Sequence, residues 1–526
     1  MPATGQPEES QSSGRFWLVA WVLAFALIVW FADGMFLLKR DLWMDEIHSW
    51  LLLTAASQDY MLDALADGAD FNPPGWYLTS RWLTSVSSLR TEVVYRLLSL
   101  VWMTSALVAV WILLTRRYSG RASLIAVAAA AAHPLIIYQS TEIRFYSFWC
   151  MTILWLVVSL DWKPRTRTTS LLRVISCCLL STLTVTTHYF GIISVGLVCL
   201  PAAVRLVRQR QRSGSLLISM LPAVIALVAV LPYLKGQKAA LTRPTWISPP
   251  TISDSLMFLE ALLPYRPVLI GGLTLLTIHC VRKRMPGAEA GVALPVARVS
   301  WELICLCMMP VAIVVISWIL QPALVTRYAI AGILPSACFF APIVHSLSGA
   351  KQRVIAFLLL IAIGYSVRDT VKSAELDAEL RQELATRLRE CDGGPIVMED
   401  RIVWMSLLHR FSDLQAACWL ADFEEHELSE DSALRIVQRD AGRKIQKWFP
   451  AYHMMPLSTL SQAKEFYVVT YEGASADMLK YPQTYVRRPL SAGLFCFKSV
   501  EKKQHLSLLA PKRKGFVQKS FDEGKR

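Results

Sequence analysis

Apolar segments long enough to cross a bilayer recur along this chain, and that recurrence restricts what it can fold into. A hydrocarbon core about 30 Å thick takes roughly 20 apolar residues of helix. Runs approaching that length read at about 16–38, 93–115, 122–138, 144–161, 169–187, 190–207, 215–234, 267–282, 302–320, 327–347 and 353–368, eleven in all. Inside a bilayer no water satisfies the backbone, so such runs must close their hydrogen bonds as helices. The pattern predicts an all-α polytopic membrane bundle of about 11 transmembrane helices. Only 18% of the residues are charged and 54% are hydrophobic, whereas a soluble domain carries about 25% charged residues. The 18 tryptophans suit an aromatic belt at the membrane surfaces. The first fifteen residues are polar and lack a basic stretch, and the run after them is too long for a signal-peptide core, so an uncleaved anchor is expected.

A formal charge of +14 raises the question of nucleic acid. The basic residues, however, sit in short clusters between apolar runs, which is a topology signal, and no nucleic-acid partner is expected. Alternate connections hold Arg116, Arg117 and Arg121; Lys163, Arg165 and Arg167; Arg205, Arg208, Arg210 and Arg212; Arg282, Lys283 and Arg284; and Lys351 with Arg353. The positive-inside rule assigns these to the cytoplasm together with an N-terminal tail over 1–15. An odd number of spans then leaves the chain beyond about 370 on the other side. Compact size and no inserted lumenal domain favour a multi-pass protein of a bacterial inner membrane, with that face periplasmic.

Three regions follow. Residues 16–369 form the transmembrane domain, with a long first periplasmic loop over 39–92. In that loop, Asp45–Ala56 and Pro73–Val86 read as short helices lying in the membrane surface. Residues 370–501 change composition. A charged amphipathic helix over Val371–Arg389 is followed by strand-like Ile396-Val397-Met398 and Phe466–Tyr471, which makes a soluble periplasmic α/β domain. Residues 502–526 are basic and expected to be disordered. Of the 11 cysteines, Cys391, Cys418 and Cys496 lie in the polar part and allow one disulfide, with no CxxC metal pattern. No GxGxxG, P-loop or HExxH motif is present.

Polar motifs gather at the non-cytoplasmic ends of the spans. Trp43-Met44-Asp45-Glu46-Ile47-His48 follows the first run, and Asn72-Pro73-Pro74-Gly75-Trp76-Tyr77 closes the first loop. Ser140-Thr141-Glu142-Ile143-Arg144-Phe145-Tyr146 joins two later runs, as does Thr187-His188-Tyr189, and Thr326-Arg327-Tyr328 opens another. Arg144 and Arg327 suit a phosphate, because guanidinium forks make charge-assisted hydrogen bonds to its oxygens. A carboxylate among them suits a general base toward an acceptor hydroxyl or amine. Asp45, Glu46 and Glu142 are oxygen ligands that suit a divalent cation. Each residue also has a structural use: a solvated acid pair, an Arg144–Glu142 bridge, a histidine bonded to a carbonyl, or an arginine anchored at the interface.

In order and placement these motifs resemble the GT-C superfamily of polyprenyl-phosphate-sugar glycosyltransferases. The likeness is to bacterial family 39-like members, which are similar to protein O-mannosyltransferases and the aminoarabinose transferases of lipid A. The resemblance covers about 16–370. It implies a metal-dependent or metal-assisted inverting transfer of a sugar from a polyprenyl-phosphate donor, the metal being a divalent cation. Asp45 would be the base with Glu46 beside it, and Glu142 the second acid. Asp45 and Glu142 would be candidate metal ligands. Arg144, Arg327, His188, Tyr189, Tyr328, Asn72, Tyr77 and Tyr146 would be candidate substrate contacts. Asn72 stands where the family pattern has histidine, so its role departs from the pattern. The partners implied are the lipid-linked donor, the bilayer and an acceptor protein, lipid or glycan. A transporter or flippase of a lipid-linked substrate is the alternative, although transporters place such groups near the midplane between repeated halves. A non-enzymatic scaffold leaves the outward motifs unexplained.

Overall fold

A computed structural model describes residues 40–87, 91–208, 214–239, 250–262, 300–320, 322–391, 394–422, 433–456, 459, 465–469, 485–491 and 494–499. The expected spans at 16–38 and 267–282 and the 502–526 tail lie outside these residues. The chain divides into two compact units. One comprises 1–39, 72–232 and 249–373, and the other 40–71, 233–248 and 374–526. Residues 40–71, which the sequence assigns to the first loop, thus cluster with the C-terminal region.

The first unit is helical. Among the described residues, five helices are long and apolar enough to cross a membrane: Glu92–Thr115, Arg167–Thr187, Ile218–Lys238, Thr326–His345 and Gly349–Arg389. Shorter apolar helices span Gly120–Ala131, Tyr146–Asp161, Tyr189–Arg205 and Met309–Ile319. Several expected spans are interrupted. The 122–138 run becomes Gly120–Ala131 and Pro134–Gln139, broken at His133. The 302–320 run becomes Trp301–Leu306 and Met309–Ile319, with Pro310 in the first turn of the second. Proline has no N–H to donate, so it opens a new helix more readily than it continues an old one. The 353–368 run and the amphipathic Val371–Arg389 segment are instead one helix, Gly349–Arg389.

Helices Glu92–Thr115, Tyr146–Asp161 and Arg167–Thr187 pack side by side. Trp102 lies against Phe148, with ring centroids 4.8 Å apart. Trp155 Nε1–H donates to Ser105 Oγ at 2.9 Å. An electrostatic knot ties the C-terminal end of Tyr146–Asp161. Arg116 and Arg117 bridge to Asp161 at 2.7 and 2.8 Å. Arg173 and Arg205 donate to the last carbonyls of that helix, Ser159 and Leu160. Cations are favoured at a helix C-terminus because its final carbonyls carry partial negative charge.

The second unit contains a six-stranded sheet: β1 Ile396–Met398, β2 Cys418–Asp422, β3 Met454–Pro456, β4 Glu465–Val469, β5 Tyr485–Ser491 and β6 Leu494–Ser499, in the order β3-β2-β1-β4-β6-β5. The first four pair in parallel, while β6 is antiparallel to β4 and to β5. Parallel neighbours need a crossover connection. Helix Arg401–Arg410 lies in the chain between β1 and β2, and helix Ala433–Trp448 between β2 and β3. Cys418 carries a free thiol. The expected α/β region is therefore present, as is the helical bundle of the first unit.

Candidate active site

In the first unit the motif residues converge on His188. This residue caps Arg167–Thr187 and stands in the turn before Tyr189–Arg208, between two apolar helices. Its imidazole stacks on Phe145, with centroids 4.5 Å apart and planes 16° apart, and on Phe190 at 5.4 Å. Tyr328 lies 5.3 Å away, Trp149 5.1 Å and Tyr146 6.4 Å. His188 Nδ1 accepts the Phe190 N–H at 3.2 Å, so in the neutral ring the proton is on Nε2. Burial, then the charges of Arg144 and Arg327, push its pKa down to about 3. The ring is therefore neutral at pH 7, an N–H donor acted on by two guanidiniums. Arg144 lies over the Phe145 ring at 5.1 Å and is only 5% exposed. An electron-rich ring face attracts a cation. Two guanidiniums and an imidazole N–H donor thus meet at this centre.

The Ser140–Phe145 turn that presents Arg144 is held from both sides. Ser99 Oγ–H donates to the Glu142 carbonyl at 2.6 Å, and Ser147 Oγ–H donates to the Gln139 carbonyl at 2.8 Å. Glu142 itself is wholly buried. Asn72 and Tyr77 are buried too, and Trp76 and Tyr77 meet edge-on at 4.8 Å. Tyr189 is half-buried at the first position of its helix. Gly75 opens helix Gly75–Ser87 against Thr186, where a Cβ would come within 2.4 Å of the threonine hydroxyl oxygen. Only glycine allows that approach.

The acid pair belongs to the second unit. Trp43 is the N-cap of helix Met44–Leu53, and its N–H donates to Glu46 Oε2 at 3.4 Å. Glu46 Oε1 lies 2.6 Å from Arg40 Nη2, with the two side chains 0% and 6% exposed. Glu46 is thus engaged in capping and in a buried ion pair, whereas Asp45 is half-buried. Carboxylates in the first turn suit the positive end of the helix. Asp41 pairs with Arg381 at 3.1 Å and with Arg410. Arg401, the first residue of helix Arg401–Arg410, is buried, and its helix is capped by Asp400, which accepts the N–H groups of Ile402 and Val403. Burial lowers the Arg401 pKa to about 10, opposed by the charges of Asp45, Asp400 and Asp70, so it stays cationic at pH 7.

Compared with solved structures, the chain is similar to ArnT from Cupriavidus metallidurans in the apo state. The TM-score is 0.53 and identity 13%, covering 93% of this chain and 98% of that one. It is also similar to the same protein bound to undecaprenyl phosphate, with TM-score 0.50, 12% identity, and 92% and 98% covered. The likeness is one of fold. The protein is an integral membrane protein. No protein-family model and no curated protein matches the chain.

Sequence motifs flagged Arg144, Tyr146, His188, Arg327 and Tyr328 and contained the stacking partner Phe145, while Phe190 stands one residue beyond Thr187-His188-Tyr189. They gave no signal for Arg401 or Asp70 beside Asp45, nor for Arg40 as the partner of Glu46. The expected divalent cation finds no donor set: among the described residues no group of three His, Cys, Asp or Glu is arranged to hold a metal ion.

Proposed function

We propose that this chain is a membrane glycosyltransferase that moves a sugar from a polyprenyl-phosphate donor to an acceptor on the periplasmic face of a bacterial inner membrane. The observation that carries the reading is the His188 centre. It gathers Arg144, Arg327 and a neutral imidazole N–H donor in a fold whose ArnT counterpart binds undecaprenyl phosphate. In the reaction, the acceptor hydroxyl or amine attacks the anomeric carbon of the sugar. A new bond forms at that carbon and its bond to the phosphate oxygen breaks. The electron pair leaves with the polyprenyl phosphate, whose charge Arg144, Arg327 and His188 Nε2–H stabilise. The acceptor proton passes to Asp45 as general base. Glu46, held by Arg40, fixes the first turn of the helix that carries Asp45. Glu142 serves as the second acidic group, and Asn72, Tyr77, Tyr146, Tyr189 and Tyr328 line the substrate path.

The test compares membranes carrying wild-type or Asp45→Asn protein at equal protein level, with glycans and lipids read by mass spectrometry. A general base contributes about 10²- to 10⁴-fold, and a loss of transfer on that order is expected. Retained transfer removes Asp45 as the base. A deletion strain whose glycans and lipids are unchanged removes the glycosyltransferase reading altogether.

A further inference from the structure

His48 lies one turn beyond Asp45 on helix Met44–Leu53, and the sequence motifs give it no role. It is 8% exposed. Its Nδ1 is 2.8 Å from the Ala69 carbonyl, which can only accept, so Nδ1 carries the proton. In the neutral ring Nε2 then presents a lone pair, and Arg401 and Asp70 lie near enough to act on it electrostatically. That atom is buried and meets no hydrogen-bond donor among the described residues. Arg401, 9% exposed, has the complementary shortfall: its buried Nε–H meets no acceptor among them.

A buried polar atom left without a partner destabilises the fold, because it has lost its hydrogen bonds to water. One acceptor and one donor in the same neighbourhood narrow what can satisfy both. An anion would suit Arg401 but would face the His48 lone pair and the carboxylates of Asp45 and Asp70. A cation would suit His48 but would face Arg401. A hydroxyl donates one hydrogen bond and accepts another, and carries no charge.

We propose that His48 Nε2 and Arg401 Nε form a hydroxyl-recognising subsite, in which a carbohydrate hydroxyl donates to the imidazole and accepts from the guanidinium. The proposal rests on the glycosyltransferase reading and deepens it. It gives the C-terminal region, through Arg401, a part in substrate recognition. The hydroxyl belongs either to the transferred sugar or to the acceptor.

The experiment uses full-length protein in detergent, with undecaprenyl phosphate, undecaprenyl-phosphate-glucose and undecaprenyl-phosphate-mannose as probes. His48→Phe keeps a flat ring without an acceptor, and His48→Gln restores an acceptor near the Nε2 position. Losing one well-placed hydrogen bond corresponds to about a tenfold change in binding. If the hydroxyl is on the donor sugar, His48→Phe weakens a sugar-bearing lipid by that factor, His48→Gln recovers it, and bare undecaprenyl phosphate binds as before. If it is on the acceptor, lipid binding is unchanged and the acceptor KM in a membrane transfer assay rises by a similar factor, again recovered by His48→Gln. Should His48→Phe fail to fold, Arg401→Lys, which keeps the charge but withdraws Nε, is expected to show the same loss. Binding and KM both indifferent to these changes would mean a buried water only and would overturn the subsite alone. Wild-type protein that binds none of the three lipids would overturn the glycosyltransferase reading, and the subsite with it.

Discussion

Arg40 and Glu46 form an ion pair at 2.6 Å with almost no exposure to solvent. The pair encloses one member of the Asp-Glu motif and leaves the other half-buried. Removing one partner of a buried pair strands the other charge, at a cost of about 3–5 kcal/mol. Glu46→Gln is therefore expected to lower the thermal unfolding temperature of the detergent-solubilised protein markedly. The double variant Arg40→Met with Glu46→Met should recover much of the loss. If Glu46→Gln is as stable as wild type, the pair has no structural weight.

Arg144 and Arg327 should differ from Asp45 in what they change. Arg144→Ala or Arg327→Ala is expected to weaken binding of bare undecaprenyl phosphate, whereas Asp45→Asn should leave it intact and lose only transfer. A charge-assisted hydrogen bond is worth about 1.5–3 kcal/mol, which is on the order of tenfold or more in Kd. Equilibrium binding by native mass spectrometry reads the difference. Equal binding in the arginine variants would take the phosphate away from the His188 centre.

His188 gives an acid-side prediction. In the folded chain its pKa is lowered to about 3 by burial, Arg144 and Arg327, while an unfolded histidine titrates near 6.5. As pH falls below about 6.5 the unfolded chain takes up a proton that the folded one refuses, so stability falls until about pH 3. His188→Phe, which keeps an aromatic ring between Phe145 and Phe190, should flatten this part of the unfolding curve against pH. An unchanged slope would show that another group causes it.

Asp67 acts at lower pH. Burial alone would raise its carboxyl pKa, but hydrogen bonds from Lys444, Lys447 and Trp448 bring it down to about 2. Lys444 Nζ, Lys447 Nζ and Trp448 Nε1 lie 2.7, 2.8 and 2.8 Å from its oxygens. The folded form therefore holds its proton less tightly than the unfolded chain. The stability this supplies is complete above about pH 4 and is lost as pH falls toward 2. Asp67→Asn should lower stability at pH 7 and make it less sensitive to acid below pH 4, measured by chemical unfolding at a series of pH values. Parallel curves for the two proteins would dismiss the contribution.

The helical content was legible because apolar length is a local property. A run such as 93–115 reappears almost unchanged as Glu92–Thr115. The breaks were less legible, since Pro134 and Pro310 sit in runs whose mean apolarity hides them. Likewise, Val371–Arg389 reads as separate only because its composition changes, while the backbone continues through one helix.

The motif order by itself determined that Arg144, His188 and Arg327 share one end of the spans, because each stands at a junction and helices alternate direction. Only the tertiary structure decided that His188 stacks between Phe145 and Phe190, that Arg40 takes Glu46, and that Arg401 approaches Asp45 and His48. The physical reason is range. Span length, turn position and charge bias are written in neighbouring residues, whereas the pairing of a buried charge depends on which distant segment packs against it.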